Sequence, residues 1–305
     1  MRKLKPVGID DIEFIKGVID STNKRRGEEH LPKEGTFKGR CHERVETHKD
    51  YIQSYDTAFG TNKLQSLEGT HPILEASDKE EMRSLYSYTR TGIAKLRKEV
   101  LNDEGYENNF CPLCEINLVN TMDHFIPQND YPLFAVHPRN LIPSCMLCNG
   151  HKSDNITDGK GNRKYWNVYL DTPPKENYLY CKVEEKEGLP HIRFYIQQGS
   201  IDDATFRLIK NTMDDEGQKM FQIYDNACGK IIISLKNKLV NYVRKNGGRK
   251  TLVECFQAIK MDIDDNFEPN KCEDVVKKAL IDSPIFQKCV EEELRKLGIN
   301  IMYSS

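Results

Sequence analysis

The sequence predicts a mainly helical chain with a small α+β part, in which a short cysteine-paired segment is flanked by helical regions and one β-hairpin. Three observations predict this architecture. Apolar residues recur at helical spacing towards both ends, two Cys-x-x-Cys pairs bracket a proline-interrupted middle stretch, and apolar residues alternate over 179–196. We therefore divide the chain into a helical region over 1–105, a central domain over 106–170, and a β-hairpin plus helical region over 171–305.

Three amphipathic helices are predicted in the N-terminal region. Apolar residues at helical spacing predict the first over 11–20, with Asp10 or Asp11 as its N-cap. Similar periodicity predicts helices over 40–58 and 77–101. Polar residues with Gly and Pro precede the second helix and are typical of a loop.

The central domain is predicted to hold little helix before Cys148, because prolines interrupt it repeatedly. We expect a short hairpin, then an irregular loop, and then a helix that starts near Cys148 and ends near Gly159.

The C-terminal region begins with the β-hairpin, whose turn is predicted over 186–190, and continues as helices. A long helix is expected from Gly217 to Lys245, ending at a following Asn-Gly-Gly. Signals at helix ends mark two more helices: a capping box at Thr251 and Glu254, an N-cap and N1 pair at Ser283 and Pro284, and a terminating Gly298.

Composition is that of an ordinary globular protein, with 38% hydrophobic and 30% charged residues. No apolar run reaches the ~20 residues that a membrane helix needs, and no apolar segment follows the basic start, so we expect a cytoplasmic protein without a membrane partner. The formal net charge is -2. Tight DNA-binding domains are usually basic, so the charge favours a local basic strip, a partner that supplies the nucleic-acid channel, or both.

Ten cysteines are present, and four of them form the two knuckles Cys111/Cys114 and Cys145/Cys148. Two such turns each present a pair of thiolates, which is the ligand set of a tetrahedral zinc site. The knuckles are separated by residues 115–144, a wider gap than the ~15–20 residues of a simple zinc ribbon. We predict a structural zinc ion here, because four thiolates leave no open position, and a functional insertion between the knuckles.

The insertion and the residue after the last cysteine carry groups suited to phosphodiester hydrolysis. A neutral His124 can take a proton from water near pH 7. A hard cation such as Mg²⁺ or Mn²⁺ prefers oxygen ligands, which Asp123 and Asn149 offer. Neighbours in a regular strand face opposite sides, so Asp123 and His124 share a site only if the strand distorts or the phosphate lies between them. Pro127 favours an early end of the strand.

These residues resemble the HNH, or ββα-metal, endonuclease family over about 45 residues of the chain. The resemblance implies a hairpin that carries Asp-His packed across a helix that carries the last metal ligand. It also implies His124 as general base, Asp123 and Asn149 as ligands of the catalytic cation, and Asn140 as the residue that pins the connecting loop and orients the histidine. The family often has His as the last metal ligand. An Asn at this position, as with Asn149, is similar to what phage junction-resolving endonucleases and RNA-guided CRISPR nucleases have. The matching motifs are Cys111-x-x-Cys114, Asp123-His124-x-x-Pro127, Asn140-Leu141 and Cys145-x-x-Cys148-Asn149-x-x-Lys152.

A wider segment, which includes Tyr131-Pro132-x-Phe134 and Asn140-Leu-Ile-Pro-Ser, resembles HNH subunits of bacterial anti-phage systems such as Septu. That resemblance implies an ATPase protein partner and a role in antiviral defence. DNA is the expected substrate and RNA the alternative. A different class also remains open: a zinc-stabilised module that binds nucleic acid or protein without cleaving.

Contacts to nucleic acid are predicted at basic residues beside the metal helix. If the helix continues, Lys152 faces the same side as Asn149 and suits a phosphate contact, whereas His151 points away and either supports the site, contacts phosphate or is exposed. The loop residues Lys160, Arg163 and Lys164 either grip a phosphate backbone or form a solvated turn. Four other histidines have no neighbours at ligand spacing: His30, His71, His137 and His191.

Overall fold

A computed structural model of the chain describes residues 1–213, 219–246 and 250–299. The chain forms two compact units: the first comprises 1–173 and 207–212, and the second comprises 174–206 and the residues from 213 onward. Among the described residues, none of the helices is both long and apolar enough to cross a bilayer.

The first unit begins with helices that surround an apolar interior. The predicted first helix is confirmed: α1 has Asp10 as its N-cap, whose carboxylate accepts a hydrogen bond from the Glu13 amide at 2.9 Å. Because Asp10 supplies the cap, Asp11 is free to turn inward, where it is buried. The helices of this region are α1 (Asp11–Asp20), α2 (Phe37–Thr47), α3 (Lys49–Gly60), α4 (Ala76–Arg83) and α5 (Thr91–Val100).

The two longer predicted helices were wrong in extent, because each is broken in two. The break at His48 separates α2 from α3, and no glycine or proline marks it. The break over 84–90 separates α4 from α5. There the Tyr86 and Tyr88 hydroxyls bond the backbone at Met122 and Val119, so packing against the central segment requires a loop where periodicity alone predicts helix.

A buried carboxylate joins α2 to α4. Glu81 is 8% exposed and accepts hydrogen bonds from Arg40 Nη2 at 2.5 Å and Arg44 Nη1 at 2.6 Å. Burial alone would raise the pKa of Glu81, but the hydrogen bonds from Arg40 and Arg44 outweigh it and lower the pKa below its ordinary value. The ionised Glu81, held by Arg40 and Arg44, therefore stabilises the fold at neutral pH. This contribution is lost only as the pH falls through the lowered pKa of Glu81.

We expect Glu81→Gln to lower the free energy of unfolding by about 1–3 kcal/mol, because it removes the buried carboxylate that Arg40 and Arg44 share, although each arginine keeps a second carboxylate partner. The matched control is Glu46→Gln, which breaks an exposed pair with Lys16 and should change stability much less. Urea unfolding of both variants at pH 7 measures the difference. Equal loss in the two variants would contradict a structural role for Glu81.

The middle of the chain forms small two-stranded sheets. Strands β1 (Asn102–Asp103) and β2 (Tyr106–Glu107) make a minimal hairpin. Strands β3 (Thr121–His124) and β4 (Leu141–Ser144) pair antiparallel, with Asp123 opposite Ile142 and His124 opposite Leu141. As predicted from Pro127, β3 ends early, at His124 itself.

Helix α6 (Met146–His151) follows β4 directly and packs against β3. The predicted helix from Cys148 to Gly159 was therefore wrong at both ends. It starts earlier because the Cys145 sulfur accepts the Cys148 amide at 3.4 Å and caps the first turn. It ends earlier because the backbone of Lys152 turns extended, which removes Lys152 from the helix.

The second unit contains the predicted β-hairpin, in which Ile192 and Phe194 are buried on one face. Strands β5 (Leu179–Lys186) and β6 (Leu189–Ile196) are joined by Glu187 and Gly188, both at positive φ, so the turn is tighter than the predicted 186–190. The helices of the C-terminal region are α7 (Asp203–Met213), α8 (Lys219–Lys245), α9 (Leu252–Asp265), α10 (Cys272–Ile281) and α11 (Pro284–Lys296).

The predicted helix ends of this region are confirmed where they fall on described residues. Thr251 and Glu254 form the reciprocal capping box of α9, and Ser283 caps α11. Gly298 lies at φ 65 just beyond α11. Gly217 and the Gly247-Gly248 pair lie outside the described residues.

The prediction of a mainly helical chain with small two-stranded sheets is thus confirmed. The boundaries proposed at 105/106 and 170/171 stay predictions, as does the classification of the central segment as an HNH finger.

Candidate active site and metal centre

The four knuckle cysteines come together in the interior of the first unit. Their sulfur atoms all lie within 4.8 Å of one another, and each cysteine is at most 6% exposed. The Cys114 and Cys145 sulfurs are 4.0 Å apart. A tetrahedral zinc ion with Zn–S bonds of about 2.3 Å requires sulfur separations of about 3.8 Å. The cluster therefore has the size and the ligand chemistry to hold zinc.

Hydrogen bonds to sulfur orient the second knuckle. Cys145 lies where β4 ends and α6 begins, and its sulfur accepts the Cys148 amide and the Asn117 side-chain nitrogen, the latter at 3.7 Å. Donors of this kind stabilise a thiolate and fix its direction. The cluster consequently links the loop after the first knuckle to the start of α6.

His124 lies at the end of β3 and is 9% exposed. Its Nε2 is 2.8 Å from the Ala135 carbonyl oxygen. A carbonyl oxygen only accepts, so Nε2 carries the proton and Nδ1 keeps its lone pair. Among the described residues, none bonds Nδ1. Burial lowers the pKa of His124 to about 4, so the ring is neutral at pH 7.

Tyr86 is a site neighbour whose contact the sequence did not reveal. Its ring meets His124 edge-on, with centroids 4.6 Å apart. Its hydroxyl donates to the Met122 carbonyl at 3.0 Å and accepts the Met122 amide at 3.2 Å. Tyr86 thus holds the backbone of the strand that carries Asp123 and His124.

Asp123 is 6% exposed, and Lys152 is its charged neighbour. The Lys152 ammonium lies 3.4 Å from the carboxylate and donates to the His124 carbonyl oxygen at 2.6 Å. Burial raises the pKa of Asp123, and the positive charge of Lys152 opposes that rise. Although Lys152 lies beyond α6 rather than on it, its side chain returns to the strand.

Asn149, on α6, donates its amide nitrogen to the Thr121 hydroxyl at 3.3 Å. Thr121 and Asp123 are two residues apart in β3, so their side chains lie on the same face of the strand. Asn149, Asp123 and Lys152 are therefore gathered on that face, and the Asn149 amide oxygen has no hydrogen-bond partner within the described part of the chain.

Asn140 is fully buried, and its side-chain amide is hydrogen-bonded to the loop between β3 and β4 and to Tyr55 of α3. Its Oδ1 accepts the Ile126 amide at 2.7 Å and the Tyr55 hydroxyl at 3.2 Å. Its Nδ2 donates to the carbonyls of Ile126 and Phe134, each at 3.0 Å. The segment pinned by Phe134 includes Ala135, the acceptor of the His124 ring.

We expect Asn140→Ala to destabilise the fold by about 2–5 kcal/mol, because it leaves buried backbone groups of Ile126 and Phe134 without hydrogen-bond partners. Tyr55→Phe removes one hydrogen bond to the same amide and should cost about 1 kcal/mol. Urea unfolding of both variants tests this order. A loss in Asn140→Ala no greater than in Tyr55→Phe would contradict it.

The remaining predicted nucleic-acid contacts lie in different environments. His151 is the last residue of α6. Lys160 is exposed in its loop, and Lys164 is half-buried above the Tyr165 ring. Arg163 is buried and paired with Asp171 at 2.5 Å, so in this conformation it does not face solvent.

The chain shows partial homology to two curated proteins. It is 26% identical over 263 residues to protein ea31 of Escherichia phage lambda, which covers 77% of this chain and 84% of that protein. It is 36% identical over 81 residues to the Septu protein PtuB of Bacillus thuringiensis, which covers 24% of this chain and 30% of that protein. No protein-family model and no solved structure matches the chain. The likeness to PtuB thus spans less than a third of that relative.

Proposed function

We propose that this chain is a metal-dependent HNH endonuclease that hydrolyses phosphodiester bonds in DNA. The observation that carries the proposal is the end of β3, where a histidine with a fixed tautomer and a free Nδ1 follows a buried aspartate. A phosphate placed at this end of the strand can meet both side chains, although they leave the backbone on opposite faces.

The zinc ion belongs to the scaffold in this proposal. Cys111, Cys114, Cys145 and Cys148 would hold it, and four thiolates leave no position for substrate. Its contribution is to join the first knuckle to the junction of β4 and α6, and so to close the segment that carries β3, β4 and α6.

Asp123 and Asn149 would hold the catalytic cation, Mg²⁺ or Mn²⁺. The fit rests on their donor set, a carboxylate and an amide oxygen on the same face of β3 as Thr121. When bound, such a cation neutralises the scissile phosphate and stabilises the leaving oxygen. Lys152, already beside Asp123, supplies a further positive charge to an incoming phosphate.

His124 acts as the general base. Its Nδ1 takes a proton from the water that attacks phosphorus, while its Nε2–H stays bonded to the Ala135 carbonyl. That carbonyl stabilises the imidazolium that forms, and it prevents the ring from rotating away. Asn140 serves as a positioning residue, because it pins the segment that carries the acceptor.

Nucleic acid is proposed to approach along Lys152, His151, Lys160 and Lys164. Arg163 is left out of this surface because it is committed to Asp171. The net charge of -2 argues that this strip alone binds weakly. A partner that contributes a basic channel is consistent with that balance.

A substrate panel tests the reaction. Purified chain is incubated with Mg²⁺ or Mn²⁺ and supercoiled DNA, single-stranded DNA or folded RNA. We expect nicked or linear DNA whose ends carry 5′-phosphate and 3′-hydroxyl groups and are joined by a ligase without repair. Cleavage of RNA alone would favour the RNA-cleaving alternative. Binding without cleavage of any substrate, even with a partner present, would favour the zinc-stabilised binding module.

We also propose that the chain acts in anti-phage defence together with an ATPase partner. The homology to a Septu protein supports this role. The longer match to a phage protein shows that relatives also occur in phage, so the role needs a direct test. Expression of the chain with its neighbouring genes should lower phage plating efficiency, and affinity purification should recover an ATPase. Full cleavage activity by the chain alone, with no co-purifying ATPase, would count against the partner.

A further inference from the structure

A second group of ligand-type side chains lies in the interior of the first unit, away from the cysteines. Asp11 of α1, Asp56 of α3 and His137 each place one donor atom within 4.8 Å of the others. His137 is fully buried and Asp11 is 5% exposed. Sequence spacing could not reveal the group, because its members come from three separate segments.

Three polar atoms of this cluster lack hydrogen-bond partners among the described residues. Within the described residues, neither ring nitrogen of His137 has one, and neither does Asp11 Oδ1. A buried polar group without a partner costs roughly 1–3 kcal/mol, so native interiors rarely leave three together. This histidine is aimed at the two carboxylates, which indicates that something absent from the protein chain lies between them.

The distances fit an ion better than hydrogen bonds. His137 Nε2 is 3.6 Å from Asp56 Oδ1 and 3.8 Å from Asp11 Oδ2. Hydrogen bonds between nitrogen and oxygen span about 2.7–3.2 Å. Ligands bound at about 2.0–2.2 Å around a tetrahedral ion are separated by about 3.3–3.6 Å. The 3.6 Å separation is therefore at the upper edge of a coordination sphere, and the 3.8 Å separation lies slightly beyond it.

The local charge is also unbalanced. Arg139 lies 2.6 Å from Asp56 and 3.6 Å from Asp11, and one guanidinium does not neutralise two carboxylates. A proton shared by the carboxylates would balance the charge, but it would leave both nitrogens of His137 without a partner. A cation balances the charge and also gives Nε2 of His137 a partner. An imidazole with two carboxylates favours a borderline metal such as zinc over Mg²⁺, which prefers an all-oxygen shell.

We propose that Asp11, Asp56 and His137 bind a divalent transition-metal ion, with Zn²⁺ as the expected ion. The ion fastens α1 and α3 to the segment that leads into Asn140. Tyr55, the neighbour of Asp56, lies tilted against the His137 ring with centroids 4.2 Å apart, and its hydroxyl donates to the Asn140 amide oxygen. The site thus connects the N-terminal helices to the loop between β3 and β4, and it has a structural role.

Metal content of the full-length chain tests this proposal. The background variant Asp123→Asn removes the proposed catalytic ligand, so binding there does not contribute. After dialysis against Zn²⁺ and removal of loosely bound metal, we expect one zinc ion per chain more than the cysteines hold. Adding Asp56→Asn or His137→Gln should remove that extra ion, whereas Asp50→Asn, an exposed residue of the same helix, should retain it.

X-ray absorption of the zinc-loaded Asp123→Asn chain identifies the atoms that bind the zinc ions, and it needs no further variant. We expect sulfur scattering from the cysteines together with nitrogen or oxygen scattering that includes an imidazole. A spectrum with sulfur alone, or an extra ion that survives both Asp56→Asn and His137→Gln, would overturn the proposal. Neither measurement depends on whether the chain cleaves DNA, so the nuclease proposal and this one can fail separately.

Discussion

The His124→Ala chain is expected to cleave supercoiled DNA about 10²–10⁴ times more slowly than the unmodified chain, in Mg²⁺ or Mn²⁺. Alanine removes the group whose Nδ1 takes the proton from water, and no neighbouring side chain on β3 replaces it. The buried Ala135 carbonyl loses its donor at the same time, which costs roughly 1–3 kcal/mol of stability, but the pairing of β3 with β4 does not depend on it. The main loss should therefore appear in the cleavage rate, measured where both chains are folded.

The matched control is His30→Ala, which removes an exposed histidine of the N-terminal region. It should cleave at the unmodified rate. Zinc content and circular dichroism of both variants should equal those of the unmodified chain, which separates catalysis from folding. If His124→Ala cleaves as fast as the control, the nuclease proposal fails, and the binding module becomes the better account.

The Cys145→Ser chain is expected to lose the cysteine-bound zinc and with it the order of the central segment. Structural zinc sites contribute apparent binding free energies of about 10–16 kcal/mol, which exceeds the ~5–15 kcal/mol that stabilises a typical domain. Cys145 is the N-cap of α6, and serine keeps a capping oxygen at that position. Any loss of order in α6 therefore reports the loss of the metal.

Zinc analysis and hydrogen exchange measure this effect. Amides of β3, β4 and α6 should lose protection in Cys145→Ser, while those of the second unit keep it. Cys289→Ser, which changes a lone, half-buried cysteine of α11, is the control and should keep both zinc and protection. Retained zinc together with retained protection in Cys145→Ser would show that the cluster is not a metal site.

Local signals in the sequence were sufficient for much of the fold. Helix α1, the capping box of α9 and the start of α11 were predicted because caps and periodicity act over a few residues. The loop between α4 and α5 was not predicted. Its cause is the docking of Tyr86 and Tyr88 on the central segment, more than 30 residues away in sequence.

Some features of the candidate site could also be predicted from the sequence, and others could not. The cysteine pairs and the Asp123–His124 pair are visible from spacing, because a metal cluster and a strand end each impose a local pattern. Lys152 was predicted to face the same side as Asn149, but the helix on which that prediction rested ends before it. We had placed it on a longer helix, whereas its backbone is extended and its side chain reaches Asp123 from beyond α6.

By itself the sequence determined the helical class, the hairpin and the four cysteines that could bind zinc, and it supplied the residues proposed for hydrolysis, because each depends on neighbours within a turn, a strand or a knuckle. Only the tertiary structure decided the tautomer of His124, the burial of Arg163 against Asp171, and the meeting of Asp11, Asp56 and His137. Those features depend on which distant segments pack together, and the cost of burying an unpaired polar group becomes visible only when its surroundings are known.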